Sequence, residues 1–203
     1  MICIIDYELG NKLSIKNALS KAGFDSLISN SISEIKKADS LILPGVGSFK
    51  EGMENLKRLN LIEILTNEVI ENKKKILGIC LGFQLMANES SENGDTKGLG
   101  WINNKIEPIK VSELKLPHVG WNEAKIKKDS ELIKNLDKNC LFYYNHTFAM
   151  RKNNDEKFQT IMNCEYEDQF ISLGIKENII GIQPHPEKSQ LNGIQFLKNC
   201  FKR

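Results

Sequence analysis

Cys80 is the residue whose neighbours in the sequence most clearly suggest chemistry. It is the centre of Gly78-Ile79-Cys80-Leu81-Gly82, which follows a lysine-led apolar stretch and precedes a helical pattern. A nucleophile between two glycines at such a junction is typical of a nucleophile elbow, a sharp turn from strand to helix. Side chains at the glycine positions would collide with the neighbouring turn, and the N–H groups at a helix start favour a thiolate. The alternative is a cysteine buried at a strand end.

A thiolate nucleophile needs a base, and His185 is the histidine best placed to be one. Glu187 follows it by two residues, so in extended backbone the imidazole and the carboxylate point to the same side. The carboxylate would then orient the imidazole. A surface loop with a chance His-x-Glu spacing is the alternative. His118 and His146 have no acidic residue at that spacing, and we expect them to be hydrogen-bonded structural or substrate-side residues.

A second glycine-containing loop, Pro44-Gly45-Val46-Gly47, follows a predicted strand. Loops at the carboxyl ends of parallel strands lie on the ligand face of an open sheet. We therefore predict that backbone N–H groups of this loop, with Val46 as the candidate, stabilise an oxyanion together with the N–H of Leu81. The loop matches neither the dinucleotide-binding nor the phosphate-binding glycine motif.

The elements that must position these residues alternate between strand and helix over the first 90 residues. Short apolar runs predict strands at residues 3–5, 24–28, 41–43 and 75–79. Amphipathic spacing and a Ser-x-x-Glu capping pattern predict helices at 15–22, from 48 onward, at 61–70 and at 83–87. This alternation predicts an α/β fold with a mostly parallel central sheet flanked by helices.

The second half of the sequence has a different pattern. Residues 89–98 are polar and predict a loop, and closely spaced strand-like stretches follow at 141–150, 158–162, 171–175 and 179–183. Short separations of this kind favour antiparallel hairpins, and a final helix is predicted near 191–201. Because the sequence has no repeat and no Pro/Gly linker, we predict a single domain over residues 1–203.

Composition narrows the class of protein. A net charge of +2 over 203 residues argues against a nucleic-acid binder that works through a basic face. Apolar runs are far shorter than a membrane span and the start has no basic flank, so we expect a cytoplasmic protein. The odd number of cysteines, five, without a Cys-x-x-Cys pair predicts reduced thiols and no metal site, and the four cysteines other than Cys80 are expected to be buried.

These motifs together resemble the class I glutamine amidotransferases, the glutaminases that use a catalytic triad. The resemblance rests on the loop at residues 44–47, the elbow extended to Gln84, and His185-Pro186-Glu187-Lys188-Ser189. Other segments are similar to the glutaminase subunits of imidazole glycerol phosphate synthases, in the same order along nearly the whole chain: Ile5-Asp6-Tyr7 with Gly10-Asn11, Met53-Glu54-Asn55-Leu56, Pro117-His118-Val119-Gly120-Trp121-Asn122 and Tyr144-Asn145-His146-Thr147.

The resemblance implies a flavodoxin-like fold and the hydrolysis of L-glutamine to glutamate and ammonia without a cofactor. Cys80 would be the nucleophile, His185 the base and Glu187 the carboxylate that orients it. Three further residues would hold or surround the glutamine: Gly47, Gln84 and Thr147.

We expect the chain to act with a partner, because the motifs for amide hydrolysis extend from about residue 45 to residue 187 and leave no second domain to accept ammonia. Ammonia released into water would be protonated and lost as a nucleophile. The resemblance implies a heterodimer with a (β/α)₈-barrel cyclase that makes imidazole glycerol phosphate and an aminoimidazole carboxamide ribotide in histidine biosynthesis. A further hypothesis is that the isolated chain is nearly inactive, because the glycine loop could turn its N–H groups away.

The sequence departs from the family pattern without removing a triad residue. Glu8 stands where glycine is usual, Asn145 where valine is usual, and Pro184 where phenylalanine is usual, while Thr147 in place of serine keeps the hydroxyl. Three alternatives therefore stay open. The chain could be a cysteine hydrolase outside glutamine chemistry, such as a γ-glutamyl peptide hydrolase. It could be the same glutaminase serving a synthase that amidates surface sugars. It could also be a non-catalytic docking or regulatory subunit.

Overall fold

The computed structural model describes residues 1–202 and contains thirteen strands and six α-helices in that range. The strands are β1 (Ile2–Ile5), β2 (Ser26–Ser29), β3 (Ser40–Leu43), β4 (Lys75–Ile79), β5 (Ala87–Ser90), β6 (Thr96–Lys97), β7 (Ile102–Pro108), β8 (His118–Ile126), β9 (Leu141–His146), β10 (Phe148–Ala149), β11 (Gln159–Tyr166), β12 (Asp168–Lys176) and β13 (Ile179–Ile182). The helices are α1 (Lys12–Ala22), α2 (Ile32–Lys37), α3 (Phe49–Arg58), α4 (Leu61–Thr66), α5 (Leu81–Leu85) and α6 (Gln190–Phe201). A π-helical turn (Asn67–Glu71) extends α4, and 3₁₀ turns lie at Glu131–Ile133 and Pro186–Lys188.

The strands of the described chain form two sheets. The larger has nine strands in the order β2-β1-β3-β4-β13-β12-β11-β8-β9, and the smaller has four in the order β10-β7-β5-β6. The first five strands of the larger sheet are parallel to their neighbours, and the remaining strands pair antiparallel. The predicted α/β fold, with parallel strands first and an antiparallel second half, is confirmed.

The parallel strands are buried on both faces. All four residues of β1 are buried, and successive residues alternate between two hydrophobic clusters, Ile2 and Ile4 in one and Cys3 and Ile5 in the other. The first cluster includes residues of α1 and α6, and the second includes residues of α3, α4 and α5. Helices on both faces explain why these strands are continuous apolar runs.

Capping groups fix both ends of α1 and the start of α3. The Asn11 side chain accepts a hydrogen bond from the Ser14 N–H at the start of α1, and Gly23 ends that helix with a left-handed φ of 92°. The Ser48 side chain accepts from the Glu51 N–H at 3.3 Å at the start of α3. The caps at Asn11 and Ser48 start the helices that follow β1 and β3, and Gly23 ends α1 before the chain enters β2.

The structure corrects two predictions between residues 83 and 98. The predicted helix at 83–87 is α5, which begins at Leu81 and ends at Leu85, and Ala87 already belongs to β5. The predicted loop at 89–98 contains the end of β5 and all of β6. Both polar strands owe their conformation to pairing within the small sheet, where β5 pairs with β6 and β7, and not to their own side chains.

Among residues 1–202, no helix combines the length and the apolar character that crossing a membrane requires. Within the same range, no group of three or more histidine, cysteine or acidic side chains is arranged to hold a metal ion.

Candidate active site

Three neighbouring parallel strands bring the candidate site residues to one edge of the large sheet. β3, β4 and β13 are adjacent, with Leu43 opposite Gly78 and Ile79 opposite Ile182. The loop at 44–47 follows β3, Cys80 follows β4 and Gln183 follows β13, so all of them leave the sheet at its carboxyl edge. The Cys80 N–H donates to the Ile182 carbonyl at 2.8 Å, which ties the turn to β13.

The turn at Cys80 is strained and closely packed. Cys80 has φ 50° and ψ −109°, a conformation that side-chain-bearing residues rarely adopt. A Cβ at Gly82 would lie 1.9 Å from the Leu43 carbonyl oxygen, and a Cβ at Gly78 would lie 2.8 Å from the Phe83 backbone nitrogen. The predicted need for glycine on both sides of Cys80 is therefore confirmed. The helix that follows has only five residues.

His185 and Glu187 form a buried pair. His185 Nδ1 lies 2.8 Å from Glu187 Oε1, and both side chains are at most 2% exposed. A carboxylate accepts, so Nδ1 carries the proton in this bond and Nε2 is left to exchange one. Within residues 1–202, Nε2 has no hydrogen-bond partner although it is buried. Burial opposes a charge here, but the neighbouring Cys80 thiolate and the Glu187 carboxylate outweigh it and raise the pKa of His185.

The backbone around His185 is anchored to β9. The His185 N–H donates to the Tyr143 carbonyl at 2.8 Å. The Ser189 hydroxyl donates to the His185 carbonyl at 2.6 Å and accepts from the Tyr143 N–H at 3.0 Å. The N–H groups on either side of Pro184 are both bonded, since that of Gln183 donates to the Ser172 carbonyl at 2.8 Å. The proline therefore leaves the segment anchored on both sides.

A cavity of about 230 Å³ opens at Cys80. Six residues singled out by the sequence line it: Val46, Gly47, Cys80, Leu81, Gln84 and Thr147. His185 and Glu187 are buried beside it and are not part of its wall in the described chain. The volume is below the range typical of sites for drug-sized ligands and suits a single amino acid.

Sequence reasoning missed Glu92, which also lines this cavity. It lies in the polar segment predicted as a loop, and its Oε2 accepts from the Phe49 N–H at the start of α3, at 2.8 Å. The signal that could have found it is general: polar loops next to a rigid sheet edge often carry binding groups. Glu92 places a carboxylate in a cavity that opens at the cysteine.

Sequence reasoning also gave no role to Gln183, at the end of a predicted strand. Its side chain is fully buried, and its Nε2 donates to the Cys80 sulfur at 3.5 Å. An uncharged polar residue at the end of the apolar strand β13 was the available signal.

Gln84, predicted to bind substrate, donates both amide protons to protein groups, to the Phe148 carbonyl at 2.7 Å and to Gln183 Oε1 at 3.1 Å. Its carbonyl oxygen is the atom left for a ligand.

His118 and His146 form a second histidine site with a different character. His146 Nδ1 donates to the Phe148 carbonyl at 2.9 Å, and its Nε2 accepts from His118 Nδ1 at 3.3 Å. His118 Nε2 in turn accepts from the Asn122 amide at 3.3 Å. Burial lowers the pKa of His118 to about 4 and that of His146 to about 3, so both are neutral at pH 7. Both are hydrogen-bonded, as expected, and His146 also lines the cavity.

The other two departures from the family pattern have simple structural settings. Glu8 has φ 70°, the left-handed conformation that glycine adopts without strain, and its carboxylate pairs with Arg58. Asn145 is exposed, and its carbonyl oxygen lies 3.9 Å from the Cys80 sulfur. The polar side chain at 145 therefore faces water, and the backbone is the part that meets the nucleophile.

The four cysteines other than Cys80 are buried, as predicted. All five are free within residues 1–202, and Cys3, Cys140, Cys164 and Cys200 are at most 3% exposed. Burial raises the pKa of the Cys3 thiol to about 11 and that of Cys164 to about 12. These thiols stay protonated at neutral pH and serve as small apolar side chains.

Comparisons with known proteins agree with this geometry. The model of the family "Glutamine amidotransferase class-I" matches residues 3–203. The chain is similar to the imidazole glycerol phosphate synthase subunit HisH 2 of Methanococcus maripaludis, at 48% identity over 100% of both chains. It is also similar to HisH 2 of Vibrio vulnificus, at 42% identity over 98% of this chain and 92% of that one. Its fold is that of a solved structure of PurLQS from Thermotoga maritima, with a TM-score of 0.74, 17% identity, and 98% and 96% of the two chains covered. The chain therefore belongs to the class I glutamine amidotransferase family.

Proposed function

We propose that this chain is the glutaminase subunit of an imidazole glycerol phosphate synthase. It hydrolyses the side-chain amide of L-glutamine and passes the ammonia to a separate cyclase subunit. The observation that carries the proposal is the strained Cys80 beside the buried His185–Glu187 pair, in a chain whose full-length relatives carry that enzyme's name.

In the first half of the proposed reaction, Cys80 attacks the amide carbon of glutamine and a sulfur–carbon bond forms. The negative charge that develops on the amide oxygen is held by the N–H groups of Leu81 and Val46, whose residues line the cavity next to the sulfur. His185 donates its Nε2 proton to the departing nitrogen, the carbon–nitrogen bond breaks, and ammonia leaves. Glu187 keeps the imidazole oriented and stabilises its positive charge.

In the second half, water attacks the thioester carbon. His185, now neutral, accepts a proton from that water, and the sulfur–carbon bond breaks to give glutamate and the Cys80 thiolate. The same two backbone N–H groups hold the second oxyanion. The cycle starts and ends with a Cys80 thiolate and a protonated His185, and the Glu187 carboxylate stays ionised throughout.

The cavity wall supports glutamine as the substrate. The part of the cavity away from the side-chain amide must bind the α-ammonium and the α-carboxylate of glutamine. Glu92 supplies a carboxylate for the ammonium. The Gln84 carbonyl oxygen is free to accept a hydrogen bond, and Thr147 adds a hydroxyl. A γ-glutamyl peptide hydrolase would need room for a second residue, and a cavity of about 230 Å³ favours the single amino acid.

Two grounds support docking of a cyclase partner: the released ammonia must reach an acceptor directly, and the chain has an exposed apolar face. Trp121 is 46% exposed and packs edge-on against Tyr143, and it lines a groove with Leu141 and Leu191, the latter 85% exposed. Ser189, which bonds to the His185 backbone, lies in the same groove. We assign this face to the cyclase, because ammonia passed directly needs a partner seated next to the catalytic pair.

The test is glutamate formation with and without the cyclase and its nucleotide substrate. We expect the complex to be much faster than the isolated chain and the Cys80→Ala variant to lose activity. Cys140→Ala, another buried cysteine, is the matched control and should remain active. Equal rates for isolated chain and complex would contradict activation by the partner. Turnover by Cys80→Ala would overturn Cys80 as the nucleophile, and failure of an electrophilic glutamine analogue to label Cys80 would overturn the proposal and favour a docking subunit.

A second candidate is the same glutaminase serving a synthase that amidates surface sugars. The names of the similar proteins favour it. Both the Methanococcus maripaludis and the Vibrio vulnificus relatives are called HisH 2, and we interpret the number as a sign of more than one such subunit in one organism. The two candidates share the whole active site and differ only in the acceptor. Offering the chain each synthase in turn, and measuring which one accelerates glutamine hydrolysis, separates them.

A further inference from the structure

The Cys80 sulfur has a neutral hydrogen-bond donor besides the catalytic pair. Gln183 continues β13 by one residue, is fully buried, and places its Nε2 3.5 Å from the sulfur. Its backbone is fixed by the bond from its N–H to the Ser172 carbonyl at 2.8 Å. A primary amide buried at this point could serve packing alone, or it could act on the sulfur.

The orientation of the Gln183 amide follows from a chain of bonds that starts at a backbone carbonyl. The Phe148 oxygen only accepts, so the group that Gln84 presents to it at 2.7 Å is the NH₂. The second proton of that NH₂ faces Gln183 at 3.1 Å, so the atom there is the carbonyl oxygen. The Gln183 NH₂ must then point at the Cys80 sulfur. No other assignment satisfies the same contacts.

Such a donor acts differently on the two forms of the sulfur. A thiol offers a weak acceptor, and its own proton has the Asn145 carbonyl as a distant partner at 3.9 Å. A thiolate is charged, and a hydrogen bond to a charged group is about twice as strong as one between neutral groups. Two titratable side chains interact electrostatically with Cys80. Burial and, after it, Cys80 raise the pKa of Tyr7, and, against the opposing effect of burial, Cys80 raises the pKa of His185.

We propose that Gln183 is a positioning residue for the nucleophile: its amide donates to the Cys80 thiolate, stabilises it and aims it into the cavity, while Gln84 holds that amide in register. This inference rests on the proposed function, because it assigns a role toward the same sulfur. It goes beyond the triad because the Gln183 amide is an uncharged hydrogen-bond donor to the sulfur, separate from His185.

The experiment measures alkylation of Cys80 by iodoacetamide as a function of pH, by mass spectrometry, in the wild-type chain and in two variants. Gln183→Met keeps the volume and removes the donor. Gln183→Glu keeps an oxygen toward Gln84 and removes the proton toward sulfur. We expect the pH of half-maximal alkylation to rise by about one unit in Gln183→Met, the equivalent of one hydrogen bond to a charged group, and by more in Gln183→Glu, which also adds a negative charge beside the sulfur. In complex with the cyclase, kcat should fall about tenfold with KM within about twofold.

Gln195→Met is the matched control, since the Gln195 amide donates to Asn199 on α6. It should leave both the alkylation profile and kcat as in the wild type. Unchanged profiles in folded Gln183 variants would overturn the inference. If neither variant folds, the side-chain amide resonances of Gln183 decide in the wild-type protein: they should shift with pH, and Cys80→Ala should abolish the shift. Resonances that do not respond would overturn it equally.

The two proposals fail in different ways. Loss of the Gln183 effect with Cys80 still labelled by a glutamine analogue removes only the positioning role. Absence of any labelling or turnover that depends on Cys80 removes the proposed function itself.

Discussion

The two histidine sites of this protein differ in how completely their ring nitrogens are used. In the pair formed by His118 and His146, every ring nitrogen has a hydrogen-bond partner, and burial lowers both pKa values far below the usual range. At His185, Nδ1 is bonded to Glu187, Nε2 has no partner in the described part of the chain, and nearby negative groups raise the pKa.

The difference shows why burial alone does not identify a catalytic histidine. All three histidines are at most 6% exposed. His118 and His146 are held neutral and form a chain of hydrogen bonds that ends at the Phe148 carbonyl. The same carbonyl also accepts a hydrogen bond from the Gln84 amide. The unsatisfied nitrogen belongs to a histidine whose pKa depends on Cys80, so its protonation state responds to chemistry at the sulfur.

The largest expected effect separates the two sites by activity. His185→Gln should lower kcat for glutamine hydrolysis about 10⁴-fold, because it removes the group that transfers protons in both half-reactions. His118→Gln should lower it less than about tenfold, since Asn122 and His146 lose only a bonding partner. Glutamate formation in the complex with the cyclase measures both. Comparable losses in the two variants would break the distinction.

The second effect concerns the carboxylate that makes His185 different. Glu187→Gln keeps the shape and a hydrogen bond but removes the charge and allows the wrong imidazole tautomer, so kcat should fall about 10³-fold. Asp155→Asn is the control, because Asp155 is a buried carboxylate paired with Lys176 away from the cavity lining. It should lower thermal stability and change kcat little. A Glu187→Gln variant with normal kcat would argue against the role of the carboxylate.

The third effect compares the backbones of the two sites. An alanine at Gly82, behind the nucleophile, places a Cβ 1.9 Å from the Leu43 oxygen and should cost about 3 kcal/mol. An alanine at Gly120, two residues after His118, meets open space in the described chain and only the strain of φ 137°, which costs about 1 kcal/mol. Denaturant unfolding measures both, and equal losses would show that the elbow is not specially packed.

The smallest effect is a pH dependence of opposite sign at the two sites. His118 binds its proton near pH 6.5 when unfolded and near pH 4 when folded, so falling pH through this window favours unfolding. His118→Gln should flatten the acid side of the stability curve by about 1 kcal/mol per pH unit within this window. His185 has a raised folded pKa, so its contribution is complete below pH 6.5 and is lost as pH rises above it. Stability curves of the single variants that change on the same side would contradict the contrast.

Much of the fold was predictable because its signals are local. Short apolar runs predicted β1, β3, β4 and β13 to within one residue, and amphipathic spacing predicted α1 with its correct end but with a start three residues too late. The small sheet was not predictable, since β5 and β6 are polar and become strands only through pairing with distant segments. Glu92 was missed for the same reason, as its place in the cavity depends on where that segment folds.

The sequence by itself determined the groups to which we assign the chemistry and their immediate backbone: a cysteine between two glycines, and a histidine with a carboxylate two residues later. Spacing and steric exclusion are properties of a few consecutive residues, and they are readable without a fold. Only the tertiary structure decided which histidine keeps a free nitrogen, and that Gln183 and Gln84 form a directed chain to the sulfur. Hydrogen-bond satisfaction depends on partners that the register of β4 against β13 brings together across 103 positions of sequence.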